Sequence, residues 1–226
     1  MTHPILDSLR SNLQARADAE VARGMQAYLK TDQPFYGVKS GPRREILRAA
    51  RREFPLDSQA DYREVINDLW QGVHREEMYL ALDVAEKCRA FRTLESWPIY
   101  VGLVESSTWW DTLDWIAAKL VGELVLEHRQ LEEYLVQWRV APGMWVRRTS
   151  LLAHLKHKER TNTVLLAETI LILAPEKEFF IRKAIGWVLR EYAKSDPAWV
   201  RGFVGEHTDR LSGLSRREAL KNIGGE

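Results

Sequence analysis

Four side chains in this chain are of types, and at spacings, that could do chemistry. In the segment from Thr108 to Val125, TWWDTLDWIAAKLVGELV, Trp110 and Asp114 are four residues apart. On a helix that spacing puts an indole and a carboxylate on one face, with Cβ atoms about 5–6 Å apart. Arg148 stands among Met144, Trp145, Leu151, Leu152 and Leu155, an apolar helical stripe. A cation there needs a counter-charge or an anionic ligand, because an unpaired buried charge is costly. Trp187 is displaced from the stripe of Ile181, Ile185, Val188 and Tyr192 and has Lys183, Arg190, Glu191 and Lys194 at helical spacing. A plain packing role, with the ring covered by Lys and Arg stems, is one reading. An aromatic platform on an electropositive surface is the other. A carboxylate between two indoles suits a cationic species, since aromatic faces attract cations and a carboxylate stabilises developing positive charge. Acyl transfer, which needs an oxyanion hole, is excluded. Cleavage of a glycosidic bond, through an oxocarbenium-like transition state, fits.

The elements that must position these residues read as helices nearly throughout. Ile5, Leu6, Leu9 and Leu13 recur at helical spacing, as do Leu151, Leu152 and Leu155, and no sustained two-residue alternation occurs. Ser58 to Asp61 and Thr108 to Asp111 resemble capping boxes with Asp in place of Glu, and Ser215 to Glu218 reads as a full one. Asp196-Pro197 puts a capping carboxylate before a proline at the first helical position. Met144-Trp145-Val146-Arg147-Arg148 aligns with Phe179-Phe180-Ile181-Arg182-Lys183 at a shift of 35 residues, and Trp109 lies another 35 before Met144. A period of that size in a helical chain implies stacked helix pairs that curve into a superhelix with a concave wall. Trp110 to Arg148 is 38 residues and Arg148 to Trp187 is 39. Equivalent positions of successive repeats would then bring the two Trp, Asp114 and Arg148 together. The expected fold is all-α, an α-solenoid of stacked antiparallel helix pairs, in one domain over 1–226.

Composition sets the limits. Of 226 residues, 45% are apolar and 29% charged, which excludes a disordered chain. No stretch approaches the ~20 apolar residues that span a bilayer, and no signal peptide is apparent. A lone Cys88 rules out an internal disulfide, reads as a packed thiol, and points to a reducing, cytoplasmic location. The net charge is +1, but residues 1–53 carry +4, 54–140 carry −8 and 141–194 carry +5. Solvated faces account for this, as would basic rims holding a polyanion. Arg43, Arg44, Arg48, Arg51 and Arg52 form one basic helix, either solvated or in contact with a phosphate backbone. His154 and His157 lack a third ligand at suitable spacing, so they read as solvated histidines and no metal is expected. No phosphate loop, Gly-x-Ser-x-Gly or His-Glu-x-x-His occurs.

One carboxylate, where glycosidases usually employ two, suffices if the leaving group needs no proton. A purine alkylated at a ring nitrogen is already cationic and departs as a neutral base. The residues therefore point to an N-glycosylase acting on alkylated DNA. Asp114 would shelter the sugar cation and position or deprotonate a water. Trp110 and Trp187 would pack on the nucleotide, and Arg148 would hold a phosphate and set the carboxylate in place.

The segments Ser107 to Asp114, Trp145 to Arg148 and Phe179 to Tyr192 resemble the AlkD family of DNA alkylation repair glycosylases. So do Phe35-Tyr36-Gly37-Val38, with Tyr28 before it, and Leu214 to Ala219, and the resemblance spans nearly the whole chain. It implies a HEAT-like solenoid with a concave DNA-binding groove and excision of cationic N3- and N7-alkylated purines, such as 3-methyladenine and 7-methylguanine, from duplex DNA. It implies no metal and no cofactor. The lesion is expected to stay in the duplex while its sugar is attacked. Asp114, Trp110, Trp187 and Arg148 match the family's catalytic set, and Tyr28, Lys156, Arg148 and Arg190 are the expected DNA contacts. The expected state is a nucleoid-associated monomer with no membrane partner. The rival expectation is a catalytically silent HEAT-repeat scaffold that binds DNA or protein, since such folds are mostly binding scaffolds.

Overall fold

The structure is a computed structural model describing residues 2–223. Every regular element among them is helical, as the periodicity implies. The chain divides into two compact units, one ending at Ile99 and the other starting at Tyr100. No helix among the described residues is long and apolar enough to cross a membrane.

The first unit holds α1 (Ile5–Ala15), α2 (Ala19–Leu29), α3 (Ser40–Glu53), α4 (Gln59–Trp70) and α5 (Arg75–Lys87). The stripe Ile5, Leu6, Leu9 and Leu13 is fully buried, as are Tyr62, Val65, Ile66 and Leu69 of α4. The Ser58–Asp61 capping box forms with both of its reciprocal hydrogen bonds. The Phe35–Val38 segment is fixed by Glu76, a carboxylate with no exposed surface, which accepts from the backbone N–H groups of Tyr36, Gly37 and Val38 at 3.0, 2.8 and 3.0 Å. In the basic helix α3, Arg43 turns inward to a buried pair with Asp83 at 2.9 Å, while Arg44, Arg48 and Arg52 line the outer side. Cys88 is buried, and burial pushes its thiol above the usual value.

Helix α6 (Trp97–Ser106) carries the chain into the second unit. There follow α7 (Trp110–Trp115), a π-helical turn over Ile116–Val121, α8 (Gly122–Glu127), α9 (Glu132–Trp138), α10 (Met144–Leu152), α11 (Thr163–Leu173), α12 (Phe179–Tyr192), α13 (Pro197–Glu206) and α14 (Gly213–Leu220). Leu151, Leu152, Leu166, Ile170, Ile181, Ala184, Ile185, Val188 and Leu189 form one buried cluster that joins α10, α11 and α12. Asp196 caps α13, accepting from the Trp199 N–H at 2.9 Å with Pro197 at the first helical position.

Two expected caps are displaced. Helix α7 begins at Trp110, and its N-cap is Trp109 in extended conformation with no side-chain hydrogen bond, so Thr108 lies outside the helix. Helix α14 is capped by Ser212, which accepts from the Ser215 N–H at 3.1 Å. Ser215 is therefore inside the helix, and Glu218 is free to reach across to α12. In both places a polar residue at capping-box spacing loses to a start one or three residues away. His154 and His157 also depart from expectation: they are buried at 3% and 1% exposure rather than solvated.

The packing of α12 on α14 requires a missing side chain. A Cβ at Gly186 would lie 2.4 Å from Glu218 Cβ and 2.9 Å from the Ser215 carbonyl oxygen. Glycine is what allows the two helices this approach, and it sits immediately before Trp187.

Candidate active site

Three helices of the second unit supply the site. Asp114 lies on the last turn of α7, Arg148 in the middle of α10, and Phe180 at the start of α12. Arg148 Nε donates to Asp114 Oδ1 and Nη2 donates to Oδ2, both at 2.8 Å. This is a bidentate fork, the arrangement in which guanidinium and carboxylate geometry match. The third nitrogen, Nη1, donates to the backbone carbonyl of Phe180. The Phe180 ring lies against the guanidinium, 5.8 Å from Cζ to centroid. The arginine on the apolar stripe is thus explained: its counter-charge is Asp114, 34 residues earlier.

Beside the pair stands an aromatic wall. Trp109 and Trp145 meet edge to face at 5.9 Å, Trp109 and Phe180 at 5.8 Å, and Trp145 and Phe180 lie tilted at 4.9 Å. Each comes from the N-terminal end of its helix, and their spacings are 36 and 35 residues. The repeat step seen in the sequence therefore brings equivalent residues together in space. Residue-by-residue reading missed this wall as part of the site. The signal was the alignment of Met144-Trp145 with Phe179-Phe180.

The environment of the carboxylate is asymmetric. Arg148 is 5% exposed at its side chain, whereas Asp114 keeps 15%. Both carboxylate oxygens are therefore held by Arg148 while the Asp114 side chain keeps some accessible surface. Burial pushes the Asp114 carboxyl above its ordinary value. The hydrogen bonds and charge of Arg148 oppose that shift, and Asp111 adds a smaller upward push. Arg148 is thus what favours ionisation at a position where desolvation disfavours it.

The other expected site residues occupy distinct places. Trp110 opens α7 one turn before Asp114 and is half-buried, on the helix face the spacing implies. Trp187 is half-buried against the core cluster of this unit. Seven residues separate it from Phe180, so it shares that residue's face of α12 two turns on, roughly 10 Å along the axis. Arg190 does not stand free beside it: Arg190 and Lys183, the latter at 2.9 Å, both pair with Glu218 of α14. Lys156 is exposed and pairs with Glu123 at 3.3 Å. Tyr28 lies in the first unit, on α2, 74% exposed. The neighbour of Arg148, Arg147, is held elsewhere, by Glu176 at 2.6 and 3.0 Å. Adjacent arginines thus have separate roles, which their order in the chain does not reveal.

Among the described residues no three His, Cys, Asp or Glu side chains cluster as ligands of a metal ion would.

The model of the DNA alkylation repair enzyme family matches residues 9–223. The chain belongs to that family. A solved structure described as a predicted DNA alkylation repair enzyme from Enterococcus faecalis is similar to it, at 31% identity and a TM-score of 0.85. The match covers 93% of this chain and 98% of that one. A comparison with curated proteins gives no match. Membership carries alkylation repair as the general activity and DNA as the general partner. Asp114, Arg148 and the aromatic wall make up the candidate site.

Proposed function

We propose that this member of the family is a monofunctional DNA N-glycosylase that removes N3- and N7-alkylated purines. The observation that carries the proposal is the Asp114 carboxylate, gripped by Arg148 through two 2.8 Å hydrogen bonds yet still accessible at its side chain. A buried ion pair is a poor device for stability, since its desolvation cost rivals the attraction gained. Its use here is orientation: the fork fixes the rotamer of the carboxylate before any substrate arrives, which is what electrostatic preorganisation requires.

The reaction balances without a general acid. Alkylation at N3 or N7 leaves the purine ring positively charged. The C1′–N bond breaks heterolytically, and its electron pair neutralises the departing base. Positive charge builds on C1′ and the ring oxygen of the sugar, facing Asp114. Water adds at C1′ and gives up a proton, which the carboxylate accepts or passes to solvent. An abasic site and a free alkylpurine result. Trp110, one turn from Asp114, and Trp187 supply aromatic surfaces on which the sugar and the cationic nucleotide pack. Arg148 acts as a positioning residue, because three of its nitrogens are already bonded within the protein.

Methylated duplex DNA incubated with the protein should release free 7-methylguanine or 3-methyladenine, detectable by chromatography. Release at the spontaneous rate would leave a DNA-binding scaffold. Asp114→Asn should retain binding to duplex DNA and lose most excision, and equal rates for variant and wild type would take Asp114 out of the mechanism. Excision should persist in EDTA, whereas a metal-dependent hydrolase would stop.

A further inference from the structure

The last helical pair holds a second concentration of charge, distant in sequence from Asp114. Helices α13 and α14 enclose an open cleft of about 1090 Å³ lined by Arg201, Arg216, Arg217 and Lys221 over Val204 and Leu220. Among the described residues no carboxylate lines it. Among the described residues none of these four cations has an ion-pair partner. Elsewhere in this unit Arg139, Arg147, Lys156, Lys183, Arg190 and Lys194 each meet a glutamate, and the cations without one, such as Lys158 and Lys177, are not gathered around this cleft. Four like charges around one cleft repel each other and destabilise the fold unless an anion is present.

Helical geometry relates the cleft to the candidate active site. On α12, Lys183 and Arg190 lie between Gly186, which faces α14, and Trp187, by the 100° turn per residue. Glu218 of α14 pairs with both, so it marks the Trp187 side of the α12–α14 joint. Around α14, Lys221 and Arg217 follow Glu218 by roughly 60° and 100°, in the direction away from the α12 contact. Trp187, the Lys183–Glu218–Arg190 bridge, and then Lys221 and Arg217 therefore form one continuous rim. Arg201 and Arg216 complete the lining of the cleft.

We infer that the α13–α14 cleft is a second DNA contact, which seats phosphates of the duplex flanking the lesion. The inference rests on DNA being the substrate of the Asp114 site, but not on which bond is cut there. With helices packed 8–10 Å apart, the cleft is about 10–20 Å from Trp187, or roughly three to six base pairs along the duplex. The cations take phosphate oxygens, and Val204 and Leu220 lie against sugar carbons. Such contacts set register and orientation without reading bases.

The test is the binding of duplex DNA to the full chain, followed by fluorescence anisotropy across a salt series. Arg217→Glu/Lys221→Glu should weaken binding roughly tenfold or more and flatten the slope of log K against log salt by about two phosphates' worth. Arg217→Gln/Lys221→Gln should move both in the same direction by less, with circular dichroism confirming that each variant is folded. Duplexes cut back to two base pairs beyond the lesion on either side should bind wild type and variant alike, because they no longer reach the cleft. Wild-type affinity and slope in the variants would overturn the inference, as would a defect that persists on the shortest duplex. The two proposals fail separately. A wild-type protein that binds DNA but releases no base removes the glycosylase and leaves this contact standing, while an unchanged salt slope removes the contact and leaves the glycosylase.

Discussion

At the scale of the residue, the proposed mechanism makes the ionisation of Asp114, opposed by burial and favoured by Arg148, the step that sets the pH response. The carboxylate must be ionised to stabilise a cation, and burial raises its pKa above 3.8. The acidic limb of the excision rate should therefore lie above the ordinary carboxylate range. Arg148 is the group that lowers this pKa, so Arg148→Gln should move the limb further towards neutral pH. A single-turnover pH–rate profile of both proteins checks this, and coincident limbs would exclude Arg148 from control of the ionisation. The same burial bears on the expected phosphate contact. At 4% exposure, with Nε, Nη1 and Nη2 bonded inside the protein, Arg148 should contribute little to the salt dependence of DNA binding. The sequence made the pair visible as a candidate because an arginine on an apolar stripe demands a partner. It did not show that the partner uses up the guanidinium, since that depends on how closely α7 and α10 pack.

At the scale of the element, the α12–α14 joint closes on Gly186, the residue before Trp187. Gly186→Ala should destabilise the protein by ~1–3 kcal/mol, because the methyl group would meet Glu218 Cβ and the Ser215 carbonyl oxygen at distances that force a shift. Gly202→Ala, on α13 with open space around its Cβ, should instead be neutral or stabilising by up to ~1 kcal/mol. Urea unfolding midpoints of the two variants separate these outcomes, and equal midpoints would deny that the joint is tightly packed. Helix existence was legible because it depends on local periodicity, and the 35-residue step because similar residues recur in the same order. The starts of α7 and α14 were not, because Thr108 and Ser215 have the right spacing for capping boxes and tertiary contacts decide between neighbouring caps. The π-helical turn after α7 has no counterpart in the sequence pattern. It changes which residues of Ile116–Val121 face the core, a distinction of one hydrogen-bond register.

At the scale of the whole molecule, two buried histidines tie stability to pH. His154 has neither ring nitrogen bonded, and His157 donates from Nε2 to the Gly122 carbonyl at 2.7 Å. Burial lowers their pKa values to about 3 and about 4. A depressed folded-state value means the neutral form is favoured in the fold, so this stability is intact above 6.5, the unfolded value, and is lost as pH falls towards 4. Each histidine contributes a slope of up to about 1.4 kcal/mol per pH unit in that window. The melting temperature should fall as the solution is acidified through that window, and His154→Leu should make the fall shallower; an unchanged slope would mean His154 is not neutral in the fold. Sequence alone determined the features that pattern and residue type dictate: an all-helical chain, an apolar stripe in most of its helices, and a short set of polar residues that a core does not explain. Tertiary structure decided which charges find partners. Residues 195–226 balance to zero as a string, yet folding gathers four of their cations into one cleft, and it joins Asp114 to Arg148 across 34 residues. Periodicity is set by neighbours a few residues apart, whereas pairing depends on distances between helices that the chain order does not encode.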